Sequence, residues 1–223
     1  MLQGAILIAG KDVRLLLFRR QGLIQAVLLG LLLIFLFSLA VGRSTVDPIW
    51  QATIFWIASS FSLVLIFNSL YALEEESGAR EALLLAPHPV QSIWLGKALA
   101  GGALLLLVQL IFLPTAAVFL QVGSIHYPLL GLLLLLAVNA GLVILGSLFG
   151  AIGQGQGGKE SLLSVILFPL QLPVLMAGIF VGAALVSPEY GEGQIVSWYK
   201  LILAFDAVFL GAALILFPFV YTD

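Results

Sequence analysis

The chain has 223 residues, of which 62% are hydrophobic and only 9% charged. Soluble domains carry about a quarter charged residues, so nine Lys and Arg with eleven Asp and Glu exclude a soluble globular protein, a disordered chain and a nucleic-acid binder, and place the chain in lipid. It has no cysteine, which excludes disulfides, thiolate metal sites, cysteine nucleophiles and covalent c-type haem attachment.

The gaps between the charges predict the architecture. A bilayer core about 30 Å thick needs about 20 apolar residues, and in hydrocarbon every backbone group must bond internally, so such runs are helices. Residues 1–21 precede the first run and are too polar to cross. On a helical wheel Lys11, Arg14 and Arg19 share one arc, with Val13, Leu16 and Leu17 away from it. This predicts an interfacial helix along the inner leaflet, its basic groups near anionic headgroups; the simpler alternative is an irregular basic arm. Residues 1–10 do not read as a signal peptide, because they lack a basic start and Lys11 cuts their apolar stretch short.

The first span is 22–42, ended by Arg43, and the second, after a tight turn, is 49–73. The segment that follows, 74–91, holds Glu74, Glu75, Glu76, Ser77, Gly78, Ala79, Arg80 and Glu81, then an apolar Leu83, Leu84 and Leu85 before Pro87. Ser77 can cap a helix, Glu81 falls in its early turns and Pro87 ends it. A short helix with an apolar patch is expected, either a plain amphipathic connector or a docking peg for a partner.

The third span is 98–121 and the fourth 128–152. His88, between two prolines, and His126, between these spans, both lie in loops, where lone histidines are more often solvated than ligating. The turn at 153–160 reads Gly-Gln-Gly-Gln-Gly-Gly-Lys-Glu, close to the phosphate loop G-x-x-x-x-G-K-[ST]. Glu160 stands where a Mg²⁺-ligating hydroxyl belongs, and helices rather than a strand flank the turn, so it is rejected as a nucleotide site. The fifth span is 161–186, and its Met176 reads as packing. The sixth is 201–221, interrupted only by Asp206. Gly146 with Gly150 and Gly178 with Gly182 form G-x-x-x-G pairs that let helices approach closely. Pro114, Pro169, Pro173 and Pro218 lie inside spans, where proline bends a helix.

Asp206 is the one ionisable residue inside a predicted span, about 9 Å from Lys200 at 1.5 Å per residue. Such residues are functional candidates, but a single acid is thin ground for an ion relay. A structural role, an aqueous outer vestibule or a pairing with Asn139 accounts for it. No metal site is expected. Seven of the nine basic residues, Lys11, Arg14, Arg19, Arg20, Arg80, Lys97 and Lys159, fall on the side of the N-terminus, and Arg43 and Lys200 on the other. The positive-inside bias puts both termini in the cytoplasm.

The stretch Glu-x-Gly-Ala-x-Glu-x-Leu-Leu-Leu-Ala-Pro beginning at Glu76, followed by Gly96 and Lys97, resembles the coupling helix of type-2 ABC exporter permeases. Lys11-Asp12-Val13-Arg14 with Arg19-Arg20, and the fifth span from Glu160 through Pro169 and Pro173 to Leu175, are similar to the heme exporter B (CcmB) family of cytochrome c maturation permeases. The resemblance runs over essentially the whole chain; Arg80 departs from it, where an apolar residue is commoner. It implies an all-α, six-span protein of the bacterial inner membrane with one permease domain over 1–223 and a coupling helix between spans 2 and 3. Glu74, Glu75, Glu76, Gly78, Arg80, Glu81, Leu83, Leu84 and Pro87 would meet a cytoplasmic ATPase.

The same resemblance implies a CcmA-like ATPase subunit that holds ATP and Mg²⁺, CcmC- and CcmD-like membrane proteins and a CcmE-like periplasmic haem chaperone. Haem would be cargo of the complex, with no cofactor on this chain, which would be non-catalytic. The alternatives are a type-2 ABC permease for a polysaccharide, lipid or drug, and an ion-coupled carrier or channel, which would need more intramembrane charge than one acid.

Overall fold

In a computed structural model of the chain, the described residues are 2–41, 46–79, 83, 85, 89–153, 160–187, 189 and 192–222, with backbone alone at 77, 160–165, 192 and 222. Among them are seven α-helices and no strand: α1 Leu2–Arg19, α2 Gln21–Val41, α3 Pro48–Ser77, α4 Val90–Phe119, α5 Pro128–Gly153, α6 Glu160–Val186 and α7 Ile195–Thr222. A 3₁₀ turn at Glu192–Gln194 leads into α7. Helices α2 to α7 are each long and apolar enough to cross a bilayer, so the six predicted spans are present.

Three helices overrun their charge-free runs by several residues. α3 continues through Glu74, Glu75 and Glu76 to Ser77, α4 begins at Val90, before Lys97, and α7 begins at Ile195, before Lys200. Charge stops a hydrophobic run but not a helix, and here Glu74 and Lys97 satisfy each other inside the protein. α3 starts on Asp47, whose carboxylate accepts the backbone N–H of Ile49 at 2.8 Å, with Pro48 in the first turn. It stops at Gly78, which adopts a left-handed φ of 65° and caps the carbonyls of Glu74 and Glu75.

α3 is the hub of the bundle, packing against α2, α4, α5 and α6. Over its most apolar stretch α3 is 56% buried, against 17% for α2 and 22% for α7, so the last two lie at the rim. Lipid supplies no hydrophobic drive between helices, and close approach does the holding. Phe67 of α3 fills the notch left by Gly146, where a Cβ would sit 2.6 Å from its ring; Tyr71 does the same at Gly150, at 2.5 Å. Gly178 and Gly182 of α6 face Trp56 and Ala52 of α3. Both glycine pairs therefore serve packing within this one chain.

α1 is held by a stripe of Gly4, Ala5, Ile8, Asp12 and Leu16, a spacing that keeps to one helix face. It rides on the start of α4, where Gly96 admits Ile8 and the backbone of Ala5. Its other side leaves Leu7 and Phe18 exposed.

Candidate functional site

The chain carries its chemistry in three tiers along the bundle. The first lies where α3 ends and α4 begins. Lys97 and Glu74 are almost completely buried, as is Asp12. Burying single ions there would be prohibitive, and four charges cancel instead. Lys97 Nζ lies 2.8 Å from Glu74 Oε1 and 3.3 Å from Asp12 Oδ2, while Lys11 Nζ lies 2.9 Å from Asp12 Oδ1 and 3.5 Å from Glu74 Oε1.

Each lysine thus touches both carboxylates, and the four charges form an alternating ring across α1, α3 and α4. Tyr221 of α7 donates to Glu74 Oε2 at 3.0 Å. Lys97 also donates to the Leu70 carbonyl at 3.3 Å and sits 4.6 Å above the Tyr71 ring. Tyr71 in turn donates to the Ser147 carbonyl of α5. One cluster therefore ties five helices at the end from which the predicted coupling segment departs. A small cavity of about 70 Å³ adjoins it, with Lys11, Asp12, Glu74 and Ala79 in its wall.

The residues expected to meet a partner separate here. Glu74 belongs to the buried ring, whereas Glu75 and Glu76 are exposed. Arg19 of α1 pairs with Glu76 at 2.7 Å on the surface, so two of the arm's basic groups, Lys11 and Arg19, have partners within the protein. Gly78 turns the chain out of α3, and the space where its Cβ would stand is open; glycine is required by its φ rather than by close approach. Leu83 packs against the core while Leu85 is 87% exposed. Arg80, Glu81, Leu84 and Pro87 lie outside the described residues, as do His88 and 154–159 of the glycine-rich turn.

The middle tier is a set of buried amides and hydroxyls. Gln109 and Asn139 exchange two hydrogen bonds, at 2.9 and 2.6 Å, and Gln109 also donates to Ser59 at 3.1 Å. Ser60 donates to Gln171. Asn139 is thus engaged with α4, and the expected alternative of a pairing with Asp206 is not found. Asp206 instead faces Gly141, whose missing side chain makes room for it. Its Oδ1 is buried without a hydrogen-bond partner among the described residues.

The third tier is an apolar cavity of about 450 Å³ bounded by Gln51, Phe55, Trp56, Pro114, Leu134 and Gly182 among others. Gln51 lies about 35 Å from Glu74 along α3 at 1.5 Å per residue, so cavity and ring occupy opposite ends of the bundle. Among the described residues, neither Asp206 nor any histidine, methionine or charged residue lines the cavity. His126 sits exposed on the loop beyond α4, its backbone N–H donating to the Leu185 carbonyl at 3.0 Å. Met176 is half exposed on α6. Among the described residues no three His, Asp or Glu side chains gather to hold a metal ion.

The ring eluded sequence reading because its members stand in three separate segments. Two signals pointed towards it. Glu74 and Lys97 border adjacent runs at the same depth, and Asp12 interrupts the face of α1 that otherwise carries Ala5, Ile8 and Leu16.

Comparison with known proteins gives one family. The model of the CcmB protein family matches residues 3–222. Heme exporter protein B of Pseudomonas aeruginosa is 30% identical over 173 residues, 77% of each chain. The proteins of the same name from Paracoccus denitrificans and Rhodobacter capsulatus are 31% and 33% identical over 125 and 128 residues, in each case 56% of this chain and 57% of the relative.

Proposed function

The chain belongs to the CcmB family, and from that premise we propose that it is the membrane permease subunit of an ATP-driven complex in cytochrome c biogenesis, serving haem export or release of a haem-loaded chaperone. The observation that carries this reading is the family match over residues 3–222, together with relatives that bear the name heme exporter protein B. Six helices long and apolar enough to span a bilayer support a multi-pass bacterial membrane protein.

The subunit itself is non-catalytic: ATP and Mg²⁺ are handled by a CcmA-like partner in the cytoplasm, and haem is cargo of the complex. CcmC- and CcmD-like membrane proteins and a CcmE-like periplasmic chaperone complete the set. The chain lies in the inner membrane with both termini in the cytoplasm, as the excess of Lys and Arg on that side supports. The segment 74–91 meets the ATPase, with Glu75, Glu76, Glu81, Leu83 and Leu84 offering acidic and apolar contact and Gly78 setting its exit from α3. The firm anchoring of both flanks of this segment in one ion-pair ring supports that role, since a force applied to it reaches five helices.

Affinity purification from membranes tests the reading. The wild-type chain should bring down an ABC ATPase and a haem-binding membrane protein, and its deletion should abolish holocytochrome c. Recovery of neither partner, or an unchanged holocytochrome yield, would refute it.

A further inference from the structure

We propose that the ring of Lys11, Asp12, Lys97 and Glu74 is a partner-exchange switch, and that Lys11, Asp12 and Lys97 are positioning residues for coupling alongside Glu74; this rests on the permease reading above. Two complete pairings of these four groups exist. The structure brings one of them closest, with Lys97 2.8 Å from Glu74 and Lys11 2.9 Å from Asp12. The other, Lys97 on Asp12 and Lys11 on Glu74, is already within ion-pair reach at 3.3 and 3.5 Å, and in it Lys97 donates a hydrogen bond to Asp12.

Passing from the first to the second slides the end of α3 from α4 towards α1 and draws α4 onto Asp12. No charge is stranded on the way, because each group keeps an opposite neighbour throughout. That matters energetically, because a buried ion parted from its only partner would make the motion prohibitive. Packed interiors move between discrete arrangements rather than deforming smoothly, and an alternating ring supplies two of nearly equal charge balance. The adjoining cavity of about 70 Å³ leaves room for the Lys11 side of the ring to close. Glu74 stands four residues before Gly78, whose N–H is bonded to the Glu74 carbonyl, so the displaced element is the root of the coupling segment itself.

The test uses the whole complex in membranes and separates a switch from a brace. Lys11→Gln alone would leave two buried carboxylates with one lysine, whereas removing Asp12 with it keeps Lys97 and Glu74 as a balanced pair, so a merely structural role predicts little effect from the double variant Lys11→Gln with Asp12→Asn. The switch needs Lys11 to receive Glu74. That charge-balanced variant should insert normally, retain the ATPase and hydrolyse ATP, yet lose about tenfold or more in holocytochrome per ATP, within the range typical of coupling between sites. Lys11→Arg should restore it.

A second readout uses spin labels on cysteines at Leu7 of α1 and Ala72 of α3, both exposed. The distance between them should change on nucleotide binding in the wild-type ring and stay fixed in the double variant. Normal coupling in the double variant, or a nucleotide response of equal size in it and in the wild type, overturns the switch and leaves the permease reading standing. A wild-type chain that brings down no ATPase overturns both.

Discussion

Glu74 stands one turn before the end of α3 and Lys97 about two turns into α4, and they meet at 2.8 Å with both side chains buried. The excursion from Gly78 to Pro89 is therefore stapled at its base by a charge pair inside the protein. Truncating one member leaves the other charge buried and unmatched, at a cost of about 3–5 kcal/mol. Lys97→Met alone should lower the thermal midpoint of the detergent-solubilised protein sharply. Adding Glu74→Gln should recover most of the loss, because the remaining Lys11–Asp12 pair is balanced. Thermal unfolding of the three proteins side by side decides this, and a double variant less stable than Lys97→Met would contradict it.

The second prediction concerns Gly78. Its φ of 65° is costly for a residue with a Cβ and worst for a β-branched one, about 1–3 kcal/mol for a non-glycine residue. Gly78→Val should misdirect the chain leaving α3 and reduce ATPase recovery, whereas Gly78→Asn, which tolerates this region better, should recover much more. Equal behaviour of the two variants in a pull-down from membranes would show that the turn does not set the segment's course.

The described residues explain how much the sequence could reveal. Charge-free runs located all six spans because hydrocarbon tolerates so few charges. They misplaced the ends of α3 and α4 because Glu74 and Lys97 are neutralised by each other, a tertiary fact that no window along one segment contains, and the start of α7 because Lys200 is exposed near a helix end. The partner of Asp206 was open for the same reason: Asn139 was a candidate by depth, but its amide is turned to Gln109 on α4. The glycine pairs were recognisable as contact sites, while their partners, Phe67, Tyr71 and Trp56, became known only from the packing. The segment after α3 stood out as a family pattern, but the ring at its root draws on α1, with Tyr221 of α7 bonded to Glu74, far away in sequence.

Haem gives the third prediction. The cavity beside Gln51 is apolar, and among the described residues no histidine, methionine or charged residue stands in its wall to offer an axial ligand to haem iron. The purified subunit should therefore show no stoichiometric ligand-field spectrum on haem titration. A tight one-to-one complex lost in His126→Ala would contradict this.

Orientation gives the fourth. The chain is free of cysteine, so single cysteines report cleanly. In intact spheroplasts an impermeant thiol reagent should label position 193, exposed just before α7, and leave positions 78 and 156 unlabelled until the membrane is opened. The reverse pattern would invert the topology and remove the ATPase-facing assignment of the segment 74–91.

The most direct test of the central claim, that this segment couples the bundle to an ATPase, is recovery of that ATPase with membrane-inserted Glu81→Lys and Leu84→Asp variants, scored alongside holocytochrome yield. Small buried contacts concentrate their energy in a few residues worth over about 2 kcal/mol each, and a loss of about 2.8 kcal/mol is about a hundredfold in affinity. Both variants should insert as the wild type does, since neither lies in a span, and should lose the ATPase or hydrolyse ATP without producing holocytochrome. Wild-type recovery of the ATPase together with wild-type holocytochrome yield in both would contradict the account.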